Sequence, residues 1–249
     1  LVSGQTYTRK QDALVLSALS GLAASASKFA HDLRLLQHLK EVEEPFGAKQ
    51  VGSSAMPYKR NPMKCERMNA LARWILTTAE NGSWTHATQW LERTLDDSAN
   101  RRLALAESFL AADALLVLWE AVVDGLVVHP EVIRRRLAEE LPFLATENVL
   151  MAAAKKGGDR QVLHERIRVH AQAAGDRLKA AGGENDLLER IAADPAFGLS
   201  REEVAAAADP RLFLGRAPEQ VAEFLAAEVD PLLAARAEAL TGRAVEVKV

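Results

Sequence analysis

A chain of 249 residues is long enough for one large or two ordinary domains, each with its own core, so a small stapled scaffold is excluded. Its 31 Lys and Arg against 34 Asp and Glu give a net charge of -3 without long single-sign runs. This argues against a general nucleic-acid binder and confines any anion site to a local cluster. One Cys excludes a disulfide framework and a cysteine-based zinc site, and suits a reducing, cytoplasmic setting.

Ala and Leu dominate, aromatic residues make up only 5%, and period-two alternation is nearly absent. The pattern predicts an all-α fold, a long-helix central bundle followed by a smaller helical C-terminal domain. The opening Leu1-Val2-Ser3-Gly4-Gln5 has no initiator Met, basic stretch or apolar leader, and reads as the middle of something longer. A first helix is expected over about 9–43, its small residues at 21–27 admitting close neighbours and Pro45 ending it. The segment 47–62 holds Gly47, Gly52, Pro57 and Pro62, so it is predicted as a loop. Helical spacing resumes over 63–80, and Asp96-Asp97-Ser98 supplies N-cap candidates for a helix reaching about Asp124. That helix is apolar nearly all round, which places it at the centre of a bundle. Glu107, Asp113, Glu120 and Asp124 argue against its being a membrane span. Gly125 closes it, and shorter helices are predicted over 131–141, 142–156, 160–181, 186–193 and 218–240. The expected organisation is a bundle domain with a loop over 1–128 and a helical domain over 129–249, with 244–249 left unassigned.

Within the loop, Gly52-Ser53-Ser54-Ala55-Met56-Pro57-Tyr58-Lys59-Arg60-Asn61-Pro62 packs two hydroxyls, two cations and an amide between turn-forming residues. Backbone N–H groups beside glycine, with Lys59 and Asn61, suit a carboxylate and the negative charge that builds on it. A serine there can act as a base where the same cations favour its alkoxide. An isolated Gly-Ser-Ser is usually no more than a polar surface loop; the density of the whole block sets it apart.

This block resembles the signature loop of the fumarase and aspartase superfamily of lyases. At its variable positions it is similar to the adenylosuccinate lyase form rather than to the argininosuccinate lyase, fumarase or aspartase forms. The run Gln89-Trp90-Leu91-Glu92-Arg93-Thr94-Leu95-Asp96-Asp97-Ser98-Ala99-Asn100-Arg101-Arg102 is similar to that family's nucleotide-phosphate segment. Gly4-Gln5-Thr6-Tyr7 resembles its substrate-contacting approach to a central helix, and the likeness weakens after Gly198. The resemblance implies a cytoplasmic lyase of purine biosynthesis with no metal and no cofactor. It would convert adenylosuccinate to AMP and fumarate, and SAICAR to AICAR and fumarate, by β-elimination. Carried over by position, the base falls on Ser53 with Ser54 a neighbour, the loop lysine and asparagine on Lys59 and Asn61, and substrate binding on Gln5, Arg67, Arg93, Ser98 and Arg102. Arginine forks and a hydroxyl at a helix start suit a phosphate; without the motif, pairing of Arg93 and Arg102 with Glu92, Asp96 or Asp97 on a solvated surface would be the safer reading, and with it the phosphate is favoured. The implied partners are small molecules, with neither nucleic acid nor membrane, and the implied assembly is a homotetramer with shared active sites. The family's general-acid histidine belongs to an amino-terminal half that no motif here resembles, so these residues alone are expected to be catalytically silent.

Two other readings stay open: a sister lyase acting on another succinyl or argininyl substrate, and a helical assembly relative without activity. His86 is a minor candidate for the acid; His164 and His170 do not share a helical face, which speaks against a metal pair. His31 and His38 do share a face and fit a helix contact or the surface. Cys65 carries no nucleophilic signal, Glu66 is placed to buttress Lys59 or Arg67, and Trp74, Trp84, Trp90 and Trp119 read as packing residues.

Overall fold

The computed structural model describes residues 4–47, 50–52 and 54–240, and in them the chain is all-α apart from one short ribbon. It divides into two compact units, the first ending at Pro130 and the second beginning at Glu131.

The first unit is built on α1 (Lys10–His38), α2 (Met63–Thr78), α3 (Glu80–Ala87) and α4 (Asp97–Asp124). Helices α1 and α4 run parallel: Arg9 and Asp97 pair at their starts, and beyond their ends β1 (Val42–Glu43) pairs with β2 (Val127–Val128). Helix α2 returns antiparallel to α1, and α3 carries the chain back to the starting end, where the Arg9 N–H donates to Gln89 Oε1 at 3.1 Å. Alanines make the close approach of α1 possible, since Ala23, Ala26 and Ala30 are fully buried against Met68, Ala72 and Leu115. Gly82 belongs to the same pattern: a Cβ there would lie 2.8 Å from the Ala13 Cα, so only glycine lets α3 sit this close to α1. By length and hydropathy α1 is able to cross a bilayer, yet its alanine face is packed in this core.

The first helix stops earlier than its composition suggests. Lys40 takes a positive φ of 62°, the Lys40 N–H donates to Gln37 O and the Glu41 N–H to Leu36 O, so a Schellman-type closure ends α1 before Pro45. The freed residues Val42 and Glu43 then pair with Val128 and Val127. Helix α4 begins where expected, but Asp96 caps no amide; its carboxylate takes the Thr94 hydroxyl and that of Asp97 takes Arg9. Only one stripe of α4 is buried, Ala104 through Val122, while Leu103, Phe109, Leu110 and Val123 are exposed. The all-round burial read from its composition is therefore not supplied by the single chain. Trp74, Trp84 and Trp90 are likewise exposed, and of the four tryptophans Trp119 packs, its ring 5.5 Å from that of Phe29.

The second unit continues α5 (Pro130–Leu144) and adds α6 (Thr146–Lys155), α7 (Arg160–Ala181), α8 (Leu187–Ala193) and α9 (Arg201–Ala207), with Leu163, Leu187, Ile191 and Phe197 in its core. Asp159 caps α7 by accepting from Gln161 N and Val162 N, and Ser200 with Glu203 forms a capping box on α9. The break expected at Pro142 comes later: α5 runs through the buried proline, and the Ala145 N–H closes it on Leu141 O at 2.8 Å. The helix expected over 218–240 is divided into α10 (Ala217–Phe224), a π turn over Leu225–Val229 and α11 (Asp230–Ala235). Pro231, with no N–H to return to the preceding turn, stands where that widening ends. Residues 244–249 lie outside the described residues.

Candidate active site

The loop after β1 is fastened at both ends. Asn61 Nδ2 donates to Gly52 O at 3.0 Å, and the Lys59 N–H donates to Met56 O at 3.0 Å, so the segment folds back on itself. Gly52 is required for this: a Cβ there would lie 2.1 Å from Lys59 O. On the exit side, the Gln37 amide bridges two segments, donating to Arg60 O at 3.2 Å and accepting from the Glu44 N–H at 3.1 Å. Glu44, 1% exposed, accepts from the Lys64 and Cys65 amides at 3.0 and 2.9 Å. A carboxylate from another segment thus caps α2, because Pro62 at the cap position has no side chain able to do so. Lys59 stands exposed on the loop, Ser54 is exposed beside it, and Ser53 lies outside the described residues.

Arg67, on the exposed face of α2, belongs to this same end of the bundle. Glu66 turns elsewhere, 3.9 Å from Arg34, rather than to Lys59 or Arg67. A hollow of about 580 Å³ opens beside the loop exit, lined by Arg34, Gln37, His38, Arg60 and Asn61 among others. His31 borders it, its Nδ1 within 2.9 Å of Asn69 Nδ2 on α2. Cys65 is fully buried, and burial, reinforced by the Glu44 carboxylate, pushes its thiol far above the usual range. It is an inert packing group.

At the other end of the bundle, Gln5 and Arg93 line a cavity of about 760 Å³ with Trp90, Thr94, Leu95 and Asp96. This volume falls within the range of small-molecule sites. Ser98 is in the first turn of α4 and Arg102 follows four residues later on the same face. Among the described residues neither Arg93 nor Arg102 has an ion-pair partner: Asp97 is taken by Arg9, Asp96 by the Thr94 hydroxyl, and Glu92 receives the Gln5 N–H at 3.4 Å. The solvated-surface pairing of these arginines is absent, and the two guanidiniums stand open to an anion.

The two sets of residues are far apart. Gln5, Arg93, Ser98 and Arg102 lie at the start of α1, whereas Lys59, Asn61 and Arg67 lie at its end, separated along a helix of 29 residues by about 40 Å. The anchors Gln37 and Glu44, and the ion pairs at the helix starts, carry no motif; they are found only once the loop has been placed against its neighbours. The minor candidates separate as well: His164 is exposed, His170 bonds Asp194 at 2.9 Å, and His86 sits in the short α3. No cluster of three or more His, Cys, Asp or Glu able to hold a metal occurs among the described residues.

The family model described as "Lyase" matches residues 3–76, and that described as "Adenylosuccinate lyase C-terminus" matches residues 142–224. Adenylosuccinate lyase of Saccharomyces cerevisiae is 52% identical over 93% of this chain and 48% of its own length. That of Schizosaccharomyces pombe is 48% identical over 100% of this chain and 52% of its own. Among solved structures, the 3-carboxy-cis,cis-muconate lactonizing enzyme of Pseudomonas putida superposes with a TM-score of 0.73 at 25% identity, over 86% of this chain and 46% of that one. The chain therefore belongs to the fumarase and aspartase superfamily of lyases. Within it, the relatives similar to this chain from both yeasts are adenylosuccinate lyases, and the chain spans about half their length.

Proposed function

We propose that this chain supplies the signature loop and the nucleotide-phosphate grip of an adenylosuccinate lyase, converting adenylosuccinate to AMP and fumarate, and SAICAR to AICAR and fumarate, in purine biosynthesis. The observation that carries this is a pair of guanidiniums without an ion-pair partner among the described residues, Arg93 lining a cavity with Gln5 and Arg102 in the second turn of α4, in a chain whose sequence also holds the complete Ser53–Asn61 loop. Loss of a proton next to a carboxylate leaves a carbanion delocalised into that carboxylate. Lys59, Asn61 and the loop amides supply the positive charge and N–H donors that stabilise it. Ser53 takes the proton, and Arg93, Ser98 and Arg102 hold the phosphate so that the succinyl group meets the loop. The departing nitrogen requires an acid, which in the family resembled is a histidine of the amino-terminal half. The carbanion's electron pair becomes the double bond of fumarate as the C–N bond breaks and the nitrogen takes the acid's proton, with no redox step that would call for a cofactor.

Because the loop and the phosphate grip sit at opposite ends of α1, one copy cannot bring them to a single substrate. A homotetramer in which neighbouring copies lie antiparallel would do so, and the exposed Leu103, Phe109, Leu110 and Val123 of α4 supply an apolar face for it. The low cysteine content fits a cytoplasmic enzyme, and the small net charge fits small-molecule partners rather than nucleic acid.

The test is an ultraviolet assay of succinyl-purine cleavage on the chain assembled with the amino-terminal half of a relative, with AMP as competitor. Turnover competed by AMP, and its absence from the 249-residue chain alone, are the expected results. Cleavage of argininosuccinate instead, or turnover indifferent to AMP, would replace this reading with the sister-lyase one; no turnover from a well-formed assembly would favour the inactive relative.

A further inference from the structure

Tyr7, Arg9, Asp12, Asp97 and Arg101 form a polar cluster that none of the roles above uses. Arg9 pairs with Asp97, their side chains 8% and 6% exposed, and Arg101 pairs with Asp12, itself 6% exposed. The Tyr7 hydroxyl donates to Asp12 Oδ1 at 3.0 Å and accepts from Arg101 Nη2, and the Tyr7 ring is near both guanidiniums, its centroid 4.9 Å from that of Arg9 and 5.6 Å from that of Arg101. Desolvating two ion pairs is costly, and apolar residues of similar volume generally serve stability as well. What such a cluster does provide is a fixed geometry. Here it ties the segment carrying Gln5 to the first two turns of α4.

Those turns alternate in use. Asp97 and Arg101, four residues apart, face inward to the cluster, while Ser98 and Arg102, also four apart, lie on the adjoining face. The helix transmits the setting of one face to the other as a rigid element: with Arg101 held by Asp12, the backbone that carries Arg102 is fixed as well. Two neighbouring arginines thus divide the work, one locking the backbone and the next meeting the ligand.

We propose that Asp12, acting through Arg101 and Tyr7, is a positioning residue of the phosphate grip, so that nucleotide affinity depends on a carboxylate that touches no nucleotide. This rests on the phosphate reading of Arg93 and Arg102. The experiment measures AMP and fumarate affinities, melting temperature and assembly state for Asp12→Asn, Tyr7→Phe and Arg102→Ala in the assembly used for turnover.

Asp12→Asn keeps the shape and removes the charge, and it should weaken AMP by about tenfold, the worth of one hydrogen bond to a charged group. Fumarate, held at the loop end, should change by less than about twofold. Tyr7→Phe keeps the ring near both guanidiniums, removes the hydroxyl's bonds to Asp12 and Arg101, and should weaken AMP by roughly threefold. A purely structural role would lower the melting temperature without separating the two ligands. Equal weakening of AMP and fumarate, or an unchanged AMP affinity in Asp12→Asn while Arg102→Ala weakens it, overturns the proposal. If Asp12→Asn does not fold, Tyr7→Phe decides alone, and an unchanged AMP affinity there overturns it. An Arg102→Ala variant that binds AMP normally refutes the phosphate reading itself, and the positioning role with it.

Discussion

In the assembly used for turnover, replacing Gly52 by Ala should abolish most of the proposed activity while sparing the fold. The added Cβ would meet Lys59 O at 2.1 Å and the Lys59 carbonyl carbon at 3.1 Å, whereas ordinary contact begins near 3.4 Å. Something must retreat by roughly 1 Å, and both obstacles are backbone, so no side-chain rotation relieves them. The Gly52 carbonyl that Asn61 holds at 3.0 Å moves with its residue, and Lys59 is carried off its place. Misplacement of a catalytic group by about 1 Å costs on the order of 100-fold in rate, and that is the expected fall in kcat. Stability should barely change, since this end of the loop is exposed or half-buried and lies outside the core. The assay is the ultraviolet rate of fumarate release with a parallel thermal melt. A variant retaining more than about a third of the rate would refute the closed-loop geometry, and a lowered melting temperature would show the loop to be structural instead.

Ser53→Ala should lower turnover by orders of magnitude and Ser54→Ala much less; equal losses, or loss from Ser54 alone, would move the base to the other hydroxyl. Cys65, its thiol driven upward by burial and Glu44, should resist alkylation by iodoacetamide at pH 8 in the folded protein and react on unfolding; mass spectrometry reads this, and rapid native labelling would contradict it. In the second unit, burial tends to raise the Asp194 carboxyl, but His170, the Ala196 amide and Arg166 outweigh it and hold Asp194 below the usual carboxylate range. A depressed carboxylate stabilises above its unfolded pKa of about 3.9 and loses that contribution as pH falls through the folded value. Asp194→Asn should therefore cost about 1 kcal/mol near neutrality, a cost that shrinks below about pH 4, as denaturant melts at several pH values would show.

The loop was legible because glycine and proline punctuate it and because its residue types are dense in chemistry. The course of α4 was legible from its apolar run, but its partners were not: the exposure of Leu110 and Trp74 depends on what surrounds a single chain. The end of α1 was hidden because Lys40 adopts a left-handed conformation that glycine usually marks. The anchors were hidden for a different reason. Asp12 and Arg101 are 89 positions apart, and Glu44 caps a helix that starts almost twenty residues downstream. No local pattern encodes such pairings; they arise when parallel helices bring their starts together. Of the candidate residues, Gln5 and Arg93 meet at one cavity, while Lys59 and Asn61 belong to the far end, a separation invisible in linear spacing.

That separation bears on inheritance as much as on catalysis. In an assembly with shared sites, a chain crippled at Lys59 still lends a sound Arg93 and Arg102 to its neighbour, and a chain crippled at Arg93 still lends a sound loop. Two alleles that are each inactive would then complement one another when expressed together, provided their lesions lie at opposite ends of α1. Two lesions at the same end would not, and a cross between such alleles would sort mutations by the end of the rod they damage.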